Sequence, residues 1–136
     1  MLDKIFCVDD DPITLMLCKK VIERVEFAKE IITAQDGEEA IKFFDDLASS
    51  QNNGEVVSYP KLTFLDLNMP VMNGWEFLDV YLQKDYQTLF PEAKFIVLSS
   101  TIDPDDVNQS MKYPVVVDFM SKPITKEMLE NLKTRF

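Results

Sequence analysis

The chain has 136 residues, 46% of them hydrophobic and 28% charged, enough for one domain with a real core. Its 24 acidic residues outnumber 14 basic ones, and the net charge of −10 argues against a general nucleic-acid backbone binder. It contains no histidine, which excludes a Ser-His-Asp triad, a His-ligated zinc site and a phosphohistidine carried by this chain. In chain order, Ile5–Val8 is a strand that runs into Asp9-Asp10-Asp11-Pro12. Asp11 before Pro12 is a cap and first-turn pair, and Leu15, Cys18, Val21, Ile22 and Val25 follow at helical spacing. Glu30–Ala34 is a second strand, and Asp36-Gly37 opens a helix carrying Ala40, Phe43, Phe44 and Leu47. Ser49–Pro60 reads as a polar exposed loop before the third strand, Leu62–Leu65. A turn-rich segment leads to Gly74 and a third helical stripe of Trp75, Leu78, Tyr81 and Leu82. Phe95–Leu98 is the fourth strand, and Asp103-Pro104-Asp105-Asp106 is a strong helix start. Val115–Met120 is the fifth strand, and Thr125 caps a fifth helix expected to bury Met128, Leu129, Leu132 and Phe136.

Five β–α units in one domain predict a parallel sheet covered by helices on both faces. Right-handed crossovers leave few topologies, and the flavodoxin-like α/β order 2-1-3-4-5 fits five units. The expectation is a single domain, residues 1–136, with no output domain. Cys7 and Cys18 lie in apolar surroundings with neither zinc nor CxxC spacing, and read as buried free thiols of a reducing compartment. The six methionines Met16, Met69, Met72, Met111, Met120 and Met128 read as gap-filling core. No secretory signal and no membrane-length apolar run stands out, so the expected location is cytoplasmic, without membrane association.

In sheets of this kind ligands sit outside the carboxyl ends of the strands. Asp9 and Asp10 follow strand one, Asp66 ends strand three, Ser99 and Ser100 end strand four, and Lys122 follows strand five. Three carboxylates brought together repel unless a cation intervenes, and oxygen donors without His or Cys suit Mg²⁺, with Mn²⁺ as a substitute. A lysine and a hydroxyl on the same rim can bind the oxygens of an attached phosphoryl group. Taken singly, each feature is also what an ordinary cap, loop or turn would show; their joint placement is what carries weight.

The segments VDDDP (Val8–Pro12), FLDLNMPVMNG (Phe64–Gly74), IVLSS (Ile96–Ser100) and MSKPIT (Met120–Thr125) resemble, in order and interval, the receiver domain of two-component response regulators. The likeness is to the single-domain chemotaxis type and spans roughly residues 3–134. It implies that Asp66 is the phosphoacceptor, in a Mg-dependent reaction with a sensor histidine kinase or a histidine phosphotransfer protein. It implies metal ligation by Asp10, Asp66 and the backbone carbonyl of Asn68, with Asp9 acting through a water. Lys122 would hold a phosphoryl oxygen, and the Lys122-Pro123 bond would be cis, a form found in only ~5–6% of X-Pro bonds. Ser99 and Phe119 match the switch hydroxyl and switch aromatic; Asn68 and Thr101 match positions that tune acyl-phosphate lifetime. The implied output is a remodelled face of the fourth helix, fifth strand and fifth helix that signals to a partner protein or pairs with a second copy. By the same likeness the chain is a signalling phosphoacceptor rather than an enzyme, with only intrinsic autophosphorylation and autodephosphorylation.

Three other readings compete. A haloacid-dehalogenase-like phosphohydrolase would use Asp9 as nucleophile within Asp9-Asp10-Asp11, but Pro12-Ile13 departs from that motif. A flavodoxin would need a hydroxyl- and Gly-rich phosphate loop where Asp9–Asp11 stand, and those acids repel phosphate. A degenerate receiver would lack the acids and lysine that are all present.

Overall fold

The computed structural model describes residues 1–136. Strands β1 (Leu2–Val8), β2 (Ala28–Ala34), β3 (Leu62–Asp66), β4 (Lys94–Ser99) and β5 (Val116–Ser121) form one parallel sheet. Their order is β2-β1-β3-β4-β5, as the five β–α units predict. The helices are α1 (Pro12–Arg24), α2 (Gly37–Asn52), α3 (Gly74–Gln83), the single turn α4 (Tyr86–Leu89), α5 (Pro104–Ser110) and α6 (Lys126–Leu132).

Alternation along the central strands divides the core in two. Phe6, Val8, Leu65, Phe95 and Val97 face α2, α3 and α4, while Ile5, Cys7, Phe64, Ile96 and Leu98 face α1 and α6. The first layer is aromatic: Phe44 on α2 packs edge-on to Tyr81 at 5.1 Å and lies 5.7 Å from Phe90. Such offset and edge-to-face geometry suits the ring quadrupoles. The second layer is built of smaller side chains, Leu15, Cys18 and Ile22 of α1 against Leu129 and Leu132 of α6.

Every long helix starts where the sequence places a cap. Asp11, Asp36, Asn73, Asp103 and Thr125 each accept a hydrogen bond from a first-turn backbone N–H. Asn73 and Glu76 complete a reciprocal capping box, so Asn73-Gly74 starts a helix and not a hairpin.

Three expectations are corrected, and one short helix is added. Helix α2 continues through Asn52, so the exposed loop starts at Asn53 and not at Ser49. The segment before β4 contains α4, because Tyr86 is buried against Phe44 and Tyr81 and its hydroxyl bonds Asp45 on α2. Phe136 lies beyond the end of α6 and is exposed. Met16 and Met111 are also exposed, whereas Met69 is buried and Met72 and Met120 pack partly buried against the core.

Candidate functional site

Parallel strands deliver their last residues to one rim. Asp9 directly follows β1, and its N–H still bonds the Ala34 carbonyl of β2. Asp66 is the last residue of β3 and Ser99 the last of β4. Lys122 follows β5, and its N–H donates to the Ser99 carbonyl at 2.8 Å. A cavity of about 750 Å³ opens here, walled by Asp9, Asp10, Asp66, Asn68, Ser100 and Lys122.

The charges are tightly arranged. The Lys122 ammonium lies 2.6 Å from Asp9 Oδ2 and 3.0 Å from Asp66 Oδ1. Asp9 and Asp66 are only 5% and 6% exposed, whereas Asp10 is open to solvent. Burial, and then repulsion from Asp9, raise the Asp66 carboxyl above the usual aspartate range; Lys122 and the Asn68 N–H offset this only in part. Burial by itself would depress the Lys122 ammonium, but bonds to Asp9 and Asp66 outweigh it and hold the lysine charged.

One lysine faces two buried carboxylates, which leaves negative charge uncompensated. Asp9, Asp10 and Asp66 each offer an oxygen, all within 4.8 Å of one another. This hard-oxygen donor set fits a divalent cation of the Mg²⁺ type, which binds through few carboxylates and retains waters.

The loop after Asp66 is strained. Met72 N–H donates to the Pro70 carbonyl at 2.7 Å around Val71, whose φ is +67°. That is a γ-turn with a β-branched residue in the left-handed region, which is costly. The turn is pinned from both sides. Gly37 N–H bonds the Met72 carbonyl at 2.8 Å, and Gly74 N–H bonds the Leu67 carbonyl at 3.0 Å. A Cβ at Gly74 would stand 2.6 Å from the Asp66 carbonyl oxygen, so only glycine lets α3 start this close to the site.

The remaining expected residues divide. Asn68 lines the cavity with an exposed side chain. The Ser99 hydroxyl is buried and accepts from the Thr101 N–H at 3.3 Å; Ser100, not Ser99, forms part of the wall. Thr101 is exposed, and Phe119 is half-buried at the edge of the aromatic layer. The Lys122-Pro123 bond is cis, as the resemblance implies. Thr14, Leu17 and Cys18 of α1 form a further wall of the site, where the sequence pointed to Cys18 only as core. Their i, i+3, i+4 spacing after Asp11 was the signal available. Burial pushes the Cys18 thiol up to about 11, so it is a neutral part of that wall.

Fold and rim together define a doubly wound α/β domain built around a strand-end acidic site. The chain belongs to the response regulator receiver domain family, whose model matches residues 5–133. It is 28% identical over 131 residues to the chemotaxis protein CheY of Listeria monocytogenes, covering 96% of this chain and 95% of that protein. It is also 28% identical to the protein-glutamate methylesterase/protein-glutamine glutaminase 3 of Geobacter sulfurreducens. That match covers 96% of this chain and 30% of that protein, so the chain spans under a third of the relative's length. Among solved structures it superposes with a TM-score of 0.85 on a two component response regulator from Cytophaga hutchinsonii. Identity there is 28%, over 98% of this chain and 96% of the other. The chain is a receiver of two-component signalling, and none of its helices is long and apolar enough to cross a membrane.

Proposed function

We propose that Asp66 accepts a phosphoryl group from a phosphohistidine on a sensor kinase or phosphotransfer protein, and that the acyl phosphate switches the surface of α5, β5 and α6. The observation that carries this is the placement of Asp66: buried at a strand end, open to a 750 Å³ cavity, with Lys122 3.0 Å away and two further carboxylates beside it. A carboxylate oxygen of Asp66 attacks phosphorus as the P–N bond breaks; the imidazole nitrogen leaves with the electron pair and takes a proton. Asp10, Asp66 and the Asn68 carbonyl would hold Mg²⁺, with Asp9 acting through a coordinated water. When bound, Mg²⁺ neutralises charge on the transferring oxygens. Lys122, already charged, would leave its bridge between Asp9 and Asp66 to hold one phosphoryl oxygen.

The phosphoryl adds about −1.5 to −2 charges and new acceptor oxygens. Ser99 would release the Thr101 N–H and turn toward them, and Phe119 would fill the space vacated. Asn68 and Thr101 flank the approach of water and would set the lifetime of the acyl phosphate. The chain's own catalysis is then limited to its phosphorylation and dephosphorylation. Asp9 has structural contacts of its own: Oδ1 accepts from the Asp11 N–H at 3.0 Å, at the start of α1, and Oδ2 is bound to Lys122.

Incubation with Mg²⁺ and a small-molecule phosphodonor, followed by mapping of the labile phosphate, tests this. Label on Asp66 that vanishes in Asp66→Ala is expected. Label that persists in Asp66→Ala, or that maps to Asp9, would overturn it.

A further inference from the structure

Helix α5 has almost no hold on the core. Its only buried residue is Ser110, and the Ser110 hydroxyl is spent on the Val107 carbonyl of its own helix. Beside it lies a cavity of about 500 Å³ between Leu82 of α3 and Asp105, Asn108, Gln109 and Lys112. What ties this region down stands just past the helix. Tyr113 stacks on Trp75 of α3, ring centroids 6.0 Å apart and planes at 23°, and its hydroxyl donates to Asp79 Oδ1 at 2.6 Å. Trp75 and Asp79 occupy successive turns of one helix face, so a single side chain spans both. Burial and the Asp79 carboxylate push the Tyr113 hydroxyl up to about 12, so it stays a donor throughout the physiological range.

We propose that Tyr113, clasped by Trp75 and Asp79, is a latch that fixes the resting position of α5 against α3 and sets the threshold for switching. The inference rests on the phosphoacceptor reading only in assigning α5 to the switching surface. The latch carries a charge-assisted hydrogen bond and a stacked aromatic pair. The adjoining cavity gives α5 room to shift once they part. A contact made only in the resting state biases the equilibrium against the switched state by its own free energy. Removing it therefore raises affinity for whatever favours the switched state.

The test is hydrogen exchange across residues 104–116 in metal-free wild type, Tyr113→Phe and Asp79→Asn, with beryllofluoride and Mg²⁺ then titrated into each. Tyr113→Phe keeps the ring and removes only the hydroxyl. Exchange in 104–116 is expected to rise about tenfold in either variant, with β1 and β3 unchanged. The double variant should add little to either single one. Beryllofluoride should bind the variants several-fold more tightly. Unchanged exchange in both variants would overturn the latch, and faster exchange with unchanged beryllofluoride affinity would overturn its regulatory role. Absence of beryllofluoride binding by wild type counts against the Asp66 site instead, while the metal-free exchange still decides whether the latch exists.

Discussion

Helices α3 and α5 leave the same rim of the same sheet, and each starts with a side-chain cap, yet they are held in opposite ways. Helix α3 drives Phe77, Leu78 and Tyr81 into the aromatic layer and seats Gly74 against the backbone of Asp66. Helix α5 buries only Ser110 and depends on a tyrosine beyond its own end. The proposed switch, which keeps a reaction site rigid while moving a surface, needs both kinds of attachment. The helix that follows Asp66 is built into the core, and the one that follows Ser99 is left loose.

The largest test of this contrast is truncation in each helix. Phe77→Ala should cost about 3–5 kcal/mol by urea denaturation, since it empties a fully buried site among Phe44, Tyr81 and Phe95. Val107→Ala in α5 should cost less than about 1 kcal/mol. Similar losses in the two would break the comparison.

Next comes Asp66, the proposed acceptor. Its folded carboxyl holds a proton more tightly than the unfolded chain does, because burial and Asp9 raise it. The native state therefore binds more protons in that window, and stability falls as pH rises from the ordinary aspartate range through the raised value. Asp66→Asn should then be more stable than wild type at pH 7 in metal-free buffer, by on the order of 1 kcal/mol. The gain should shrink toward about pH 4, and added Mg²⁺ should raise the Tm of wild type alone. A destabilised Asp66→Asn at pH 7 would mean that its pair with Lys122 dominates instead.

The smallest effect concerns the one flaw in how α3 is packed. The Tyr81 hydroxyl is fully buried without a partner, so Tyr81→Phe should be neutral or stabilising by up to about 1 kcal/mol. A loss beyond that in thermal denaturation would reveal a role for the hydroxyl.

Much of this arrangement was legible in the sequence, for a physical reason. Parallel strands buried on both faces must be apolar, so the first charged or hydroxyl residue after each run marks the rim; that is how Asp9, Asp66 and Ser99 stand out, while Lys122 comes just after Ser121 at the end of the half-buried edge strand β5. Caps are local chemistry, and Asp11, Asp36, Asp103 and Thr125 behave as their neighbours dictate. What stayed hidden depends on partners far along the chain. Tyr86 becomes a helical anchor only because Asp45 and Phe44, about forty residues earlier, wait for it. Tyr113 is a turn residue until α3 brings Trp75 and Asp79 beneath it. Cys18 reads as core from its spacing, and only the opening above it makes it part of the site wall.

The most direct measurement is hydrogen exchange of wild type with and without Mg²⁺ and beryllofluoride, read separately over α3 and over α5 with β5. Altered exchange in α5 and β5, abolished by Asp66→Ala, with α3 unchanged, is the expected result. A response confined to α3, or one that survives Asp66→Ala, would contradict the division between a fixed helix and a moving one.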